Sequence, residues 1–397
     1  MKSQMTLSKL REEIPIAKDS HYFLTGSHGP APISVLNEFR NQMEFEAEFG
    51  LQGGLYKKEI IDREHDSRTA LATFLGVTPA EISITGNTSE AMQKIIRSFS
   101  WKKNSELVVS SLEHVSTFSI CRELSDRYGV IIKTVEADTD ESIFLESFQD
   151  ALSESTKLVV VSQIASPDGR LLPVERVVNI AKEKGIPVAV DAAQSIGQFP
   201  VDIKDIKCDF LVGSGHKWLL GPMGIGFLYV NNEYGFSNFR PEFIPDVKLW
   251  HQKEDPLPPL DLKQRAEVGT YSHAKIIALG KALNNINQIG FSQIISHVQS
   301  LSSLLSKAVS KMQNTRMITP INSSYPSGLI SLKVEGRSAK DIQNAVAEME
   351  REKILLKFQW LTAPYDIDKF AIRISLAMFN TNKEVNHLND ALKTYLG

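Results

Sequence analysis

The chain has 397 residues, 42% hydrophobic and 23% charged, the composition of a globular protein with room for two domains and substantial cores. A formal net charge of -3 supplies no basic field to hold nucleic acid, and no stretch reaches the roughly 20 apolar residues of a membrane helix. Residues Met1-Lys2-Ser3-Gln4-Met5-Thr6-Leu7 lack the apolar core of a signal peptide, so cytoplasmic residence is expected. Two cysteines, Cys121 and Cys208, are too few for a disulfide framework and are not spaced as metal ligands, so reduced thiols and no metal site are expected.

In chain order, Asn87-Thr88-Ser89-Glu90 precedes an amphipathic helix carrying Met92, Ile95, Ile96 and Phe99. Hydroxyls and free backbone N–H groups at such a helix start make either a phosphate cradle or an ordinary cap. Short β-rich runs then alternate with amphipathic stretches, and 107–110, 130–135, 158–164, 186–191 and 210–213 read as buried strands. Cys121 shares an apolar stripe with Phe118 and Leu124, and Cys208 enters the strand at 210–213, so both cysteines read as core residues. After Ser214-Gly215-His216-Lys217-Trp218 comes the glycine-rich apolar strand Gly226-Phe227-Leu228-Tyr229-Val230. Residues 233–259 are irregular and end in Pro256-Leu257-Pro258-Pro259, a long connection expected over the mouth of a site. From about Lys275 the spacing of Ile276, Ile277, Leu279, Leu283, Ile286 and Ile289 is helical. Strands at 329–334 and 371–376 and a helix at 339–352 complete a smaller α+β domain. The alternation predicts an α/β protein with a largely parallel sheet and helices on both faces.

Ligands in open sheets of this kind collect beyond the carboxyl ends of the strands. Asp191 ends one predicted strand and Lys217 lies just past another. A lysine that can hold pyridoxal phosphate as an imine, with an aspartate that keeps its pyridine nitrogen protonated, is the minimum chemistry of an enzyme using that cofactor. The segments Val188-Ala189-Val190-Asp191-Ala192-Ala193-Gln194 and Ser214-Gly215-His216-Lys217-Trp218, with Gly221-Pro222-Met223-Gly224-Ile225-Gly226, resemble the cofactor site of the class V aminotransferase and cysteine desulfurase family. The resemblance runs from Tyr22-Phe23-Leu24 through Asn87-Thr88-Ser89-Glu90, Glu113-His114 and Glu267-Val268-Gly269-Thr270 to Arg373-Ile374-Ser375-Leu376.

That resemblance implies a fold type I large domain at 21–274 with a mostly parallel seven-stranded sheet, and a small domain at 275–397 with residues 1–20 packing near it. It implies that Lys217 binds pyridoxal 5'-phosphate and then serves as general base and acid. Asp191 would meet the ring nitrogen, Gln194 the phenolic oxygen, and His114 would stack on the ring. Thr88, Ser89, Ser214 and His216 would hold the phosphate. Gln163 stands where many relatives have asparagine and is assigned to the ring's surroundings. Thr270 matches the position that reaches a neighbour's phosphate, which implies a homodimer with shared sites. Arg373, in an apolar strand context, suits the substrate amino acid's carboxylate; a salt bridge to a protein acid is the alternative.

Desulfurases of this family carry a nucleophilic cysteine shortly before that arginine, where this chain has Lys357-Phe358-Gln359-Trp360-Leu361-Thr362-Ala363-Pro364-Tyr365. Phe358 and Trp360 suggest a partly apolar pocket. Trp218-Leu219-Leu220 resembles the carbon–sulfur lyase and isopenicillin N epimerase branches more than the desulfurases. A carbon–sulfur lyase is the first reading, since it requires no protein cysteine. The alternatives are an aminotransferase, an epimerase with Tyr365 or His114 as the opposing proton donor, and a non-catalytic member of the fold. A nicotinamide-binding protein is disfavoured, because no Gly-x-Gly-x-x-Gly follows an early strand.

Overall fold

The computed structural model describes residues 4–51, 54–138, 140–232, 261–267, 269–320, 327–361 and 369–396. The connection expected at 233–259 lies outside them. The strands in chain order are β1 (His21–Tyr22), β2 (Ile82–Thr85), β3 (Glu106–Ser110), β4 (Ile131–Val135), β5 (Thr156–Ser162), β6 (Val188–Asp191), β7 (Phe210–Ser214), β8 (Gly226–Val230), β9 (Thr315–Met317), β10 (Leu329–Val334), β11 (Ile354–Leu355), β12 (Lys357–Trp360) and β13 (Phe370–Ser375).

Seven of them form one sheet in the order β2-β8-β7-β6-β5-β3-β4. Only β8 is antiparallel to its neighbours; the other pairings are parallel, as the sequence led us to expect. A parallel sheet is covered on both sides, which is why its strands are apolar without interruption. The period of two divides them cleanly. Val108, Val159, Val161, Val188 and Val190 face one core with Phe144, Phe148, Val177 and Val178. Leu107, Val109, Leu158, Val160 and Ala189 face another with Ala91, Ile95, Cys121 and Leu124. At the edge, β4 is largely solvent-facing, and Lys133 there pairs with Glu106 at 2.8 Å, a charged side chain that discourages strand addition.

A second sheet, β12-β13-β10-β9, is antiparallel. It packs with helices Phe291–Val309, Ala339–Arg351 and Asn382–Leu396 around Ile330, Leu332, Ile342, Ile372, Ile374 and Leu388. The amino-terminal segment joins this part of the molecule: β1 pairs with β11, Phe23 enters the same core, and Arg11 donates to Phe379 O and Glu384 Oε2, both at 2.9 Å. Helix His273–Ile289 sends Ile276, Leu279, Leu283 and Ile286 into the larger core. The division proposed between residues 274 and 275 therefore falls at the head of a helix packed on the larger sheet's side.

The parallel strands β3, β5, β6 and β7 end on Ser110, Ser162, Asp191 and Ser214 at one edge of the sheet. The small sheet faces that edge through Arg373 on β13, whose Nη1 donates to Ser166 O at 3.0 Å. The cleft between the two sheets is where the chemistry-bearing residues converge.

Candidate active site

Asp191 is buried at the end of β6. Its Oδ1 accepts from Ala193 N–H at 2.8 Å, the bond of an aspartate that starts a turn. Burial raises its pKa, while that bond and the nearby Lys217 pull it back down. Lys217 is half-buried, and its ammonium is pushed down to about 8 by desolvation, with Asp191 opposing and Arg373 and Lys357 assisting. Both side chains line one narrow cleft, with Thr88, Ser89, His114 and Gln194.

The lysine loop is fixed by close backbone contact. Gly29 N–H donates to His216 O at 2.8 Å, and a Cβ at Gly29 would lie 2.0 Å from Lys217 O. No other residue fits there without moving the loop. Gln194 locks the cleft wall: its Nε2 donates to Gly26 O at 2.9 Å and Ser166 Oγ at 3.2 Å, and its Oε1 accepts from Trp218 Nε1 at 2.9 Å.

Thr88 opens helix Thr88–Ser98, capped by Asn87, whose side chain accepts from Glu90 N–H at 2.9 Å. Thr88 Oγ1 is buried with no hydrogen-bond partner, whereas Ser89 Oγ donates to Ser116 Oγ at 2.9 Å. His114 caps the next helix, Val115–Tyr128, and its Nδ1 accepts from Ser116 N–H at 3.2 Å. The imidazole pKa is lowered, by its partial removal from water first and then by Lys217, Arg373 and Lys357; His114 is therefore neutral near pH 7. Beside it Glu113 is fully buried, accepting from Ser110 Oγ at 2.6 Å and from Ser162 N and Oγ at 2.7 Å. Burial raises its carboxyl to about 7, with Asp191 adding to the effect.

A cavity of about 330 Å3 continues from the cleft, sharing His114, Ser166, Gln194 and Lys217, and reaches His28, Lys357, Gln359, Trp360 and Arg373. Arg373 is 3% exposed. Its Nη1 donates to Ser166 and its Nη2 to Ser27 Oγ at 2.7 Å, and its Nε has no partner. Among the described residues no carboxylate pairs with it, so the salt-bridge alternative finds no support there. Burial lowers its pKa to about 10.

Some expected members sit elsewhere. Ser162 and Ile164 line the cleft, so the intervening Gln163 points to the opposite side, where its Nε2 donates to Pro200 O at 3.2 Å. Gln163, which follows the end of β5, does not line the cleft. Ser214 Oγ and His216 Nδ1 lie 3.1 Å apart beside the lysine loop but line neither cavity. Thr270 is exposed and lines neither cavity of its own chain. Phe358 packs on the small-domain core, leaving Lys357, Gln359 and Trp360 to form the wall, so the pocket is more polar than Phe358 and Trp360 suggested. Thr362 to Tyr365 lie outside the described residues. Ser27, Ser166, Lys357 and Gln359 are cavity residues that the sequence reading passed over; the alternation Lys357, Gln359 against Phe358 was the available signal.

Neither thiol reaches the cavity. Cys121 and Cys208 are buried in separate cores, 3% and 0% exposed. Burial first, then Glu113, pushes the Cys121 thiol up to about 12. Cys208 is raised as well, by burial and Asp209.

The aminotransferase class-V family model matches residues 21–388. A probable cysteine desulfurase of Methanothermobacter thermautotrophicus is 28% identical over 404 residues, covering 99% of each chain. Among solved structures, the apo cysteine desulfurase of Thermococcus onnurineus NA1 superposes with a TM-score of 0.86 at 25% identity, over 100% of this chain and 99% of that one. The complex of the cystine C–S lyase C-DES with cysteine persulfide shares the fold at a TM-score of 0.83 and 22% identity, over 96% and 98% of the two chains. With a match over almost its whole length and the Asp191–Lys217 cleft in place, the chain belongs to the class-V aminotransferase family and is a pyridoxal phosphate-dependent, cysteine desulfurase-like enzyme.

Proposed function

We propose that this enzyme is a carbon–sulfur lyase for a cysteine- or cystine-type amino acid, working without a protein thiol. The observation that carries the reading is the position of the cysteines: both are sealed in cores, and neither lines the cavity holding Lys217 and Arg373. A thiolate is the reactive form of cysteine, and burial disfavours it here.

The residues present suit the cofactor at both ends of the cleft. Thr88 Oγ1 lacks a partner at a helix amino terminus, where backbone N–H groups and the helix dipole favour an anion. Asp191, at the other end, is a buried carboxylate that a pyridinium N–H would hold ionised. When bound, pyridoxal phosphate supplies an electron sink for the pair released at the substrate Cα.

The other roles fall to this chain's side chains. Thr88 and Ser89 would hold the phosphate, and Ser214 and His216, which do not line the cleft itself, stay assigned beside them by the family resemblance. Lys217 would hold the cofactor covalently and, when free, would take the proton from Cα; an amine with a pKa near 8 is suited to that at neutral pH. Neutral His114 covers the ring face. Gln194, on the cleft wall, would serve the phenolic oxygen. Arg373 binds the α-carboxylate through its free Nε and by exchange of its serine partners. Loss of the Cα proton and departure of sulfur with the C–S pair leave an enamine that water converts to pyruvate and ammonia.

Replacing Cys121 and Cys208 together by serine tests the thiol-independent route. Turnover should remain within about twofold of the parent, with stability reduced by about 1–3 kcal/mol for each buried hydroxyl. Loss of turnover in the folded variant, with persulfide trapped on either cysteine of the parent, would overturn this reading.

Thr270 is assigned to the partner's phosphate in a homodimer with shared sites, a reading favoured by its exposure and its absence from the lining of its own cleft. Thr270→Ala should weaken cofactor retention. Mixing inactive Lys217→Ala chains with inactive Thr270→Arg chains should give each mixed dimer about half of its two-site activity, because one of its sites carries neither defect. No recovery after verified subunit exchange would return Thr270 to its own chain.

A further inference from the structure

Among the described residues, Lys357 is a cation without a paired carboxylate. It pairs in register with Arg373 across β12 and β13, and directly opposed residues on one face of an antiparallel pair bring their Cβ atoms to about 5 Å. Like charges so placed destabilise a sheet, and here both line the same cavity. Lys357 is half-buried, its pKa lowered to about 8 by burial and by Arg373. Among the described residues, no carboxylate pairs with either. Within the described residues this wall therefore presents two cations to whatever occupies the cavity.

One α-carboxylate compensates one of these charges. The guanidinium of Arg373, once its serine partners are exchanged, matches a carboxylate's two oxygens, which leaves the Lys357 ammonium as a point charge further along the wall. Gln359 continues that face, two residues on, with its Oε1 buried and unpartnered, ready to accept from an N–H.

We propose that Lys357 reads a second anionic group at the distal end of the substrate side chain, so that the enzyme selects amino acids carrying two acidic groups. Gln359 would take an N–H at that same end. The proposal rests on assigning the α-carboxylate to Arg373, and it is independent of which bond is then broken.

Titration of the cofactor-loaded enzyme with isosteric acid and amide pairs tests it, following the change in cofactor absorbance as each amino acid binds. The pairs are L-aspartate with L-asparagine and L-glutamate with L-glutamine, and L-α-aminoadipate with L-norleucine adds a longer charged and uncharged comparison. At the best-fitting length the acid should bind about tenfold more tightly, as expected of a charge-assisted contact. In Lys357→Gln that ratio should fall to within about twofold, and Lys357→Arg should restore most of it. Arg373→Gln should weaken both members of each pair alike. Absence of an acid preference at every length, or the same preference in Lys357→Gln, overturns the proposal. A preference removed by Arg373→Gln but not by Lys357→Gln shows instead that the two cations have exchanged roles. Failure of the lyase reading would appear only in the products and would leave these affinities untouched.

Discussion

Lys217→Ala should lose the borohydride-sensitive absorbance of the bound cofactor and reduce turnover by about 10^3-fold or more, since it removes both the tether and the proton-transfer group. The fold should survive. The lysine's backbone, not its amine, holds the loop, through the turn to Leu220 N–H at 3.0 Å and the contact of Gly29 with His216. Circular dichroism and thermal unfolding check that point, and the absorbance spectrum checks the chemistry. Full activity in this variant would remove Lys217 from the mechanism.

Asp191→Asn is expected to keep the covalent link to Lys217 and to lose about 10^2-fold or more in rate. Asparagine can still accept the Ala193 N–H, so the turn after β6 has no reason to open. What it lacks is a negative charge in a site removed from water, where such a charge is worth far more than at the surface. The measurement is the rate at saturating cofactor together with the spectrum of the bound form. An unchanged rate would make Asp191 only the residue that starts the turn.

The parts of the fold legible in the sequence were those where one physical demand dominates. A parallel strand buried on both faces must be apolar throughout, so β3, β5, β6 and β7 stood out. In the small domain, β10 and the helix Ala339–Arg351, with Ser338 as its cap, were equally plain. Asp191 and Lys217 could be placed because each follows such a strand. Short or half-exposed elements were hidden. Ile82-Ser83-Ile84-Thr85 is four residues long, and its place in the sheet comes from antiparallel pairing with β8, a contact between segments far apart in the chain.

The site showed the same division. Gln163 was assigned by its place in a motif, but just past the end of β5 its amide turns to Pro200. Lys357 was passed over because the segment was read for what it lacked, a cysteine. Its partner in register, Arg373, is 16 positions later, and only the folded sheet sets the two cations side by side. Thr270 and the phosphate assignments depend on a ligand and a second subunit, which a single chain's pattern does not contain.

The most direct measurement of the central claim is product analysis with the Cys121→Ser, Cys208→Ser chain, cofactor-loaded and given L-cystine or L-cysteine. Elimination requires no enzyme thiol and should yield pyruvate and ammonia in equal amounts, with sulfur released as persulfide from cystine or sulfide from cysteine. Transfer of sulfur to an enzyme thiol would instead leave alanine as the organic product and would stop when both thiols are removed. Pyruvate and ammonia in a one-to-one ratio from the thiol-free enzyme is the result this account predicts; alanine from the parent and nothing from the thiol-free enzyme would contradict it.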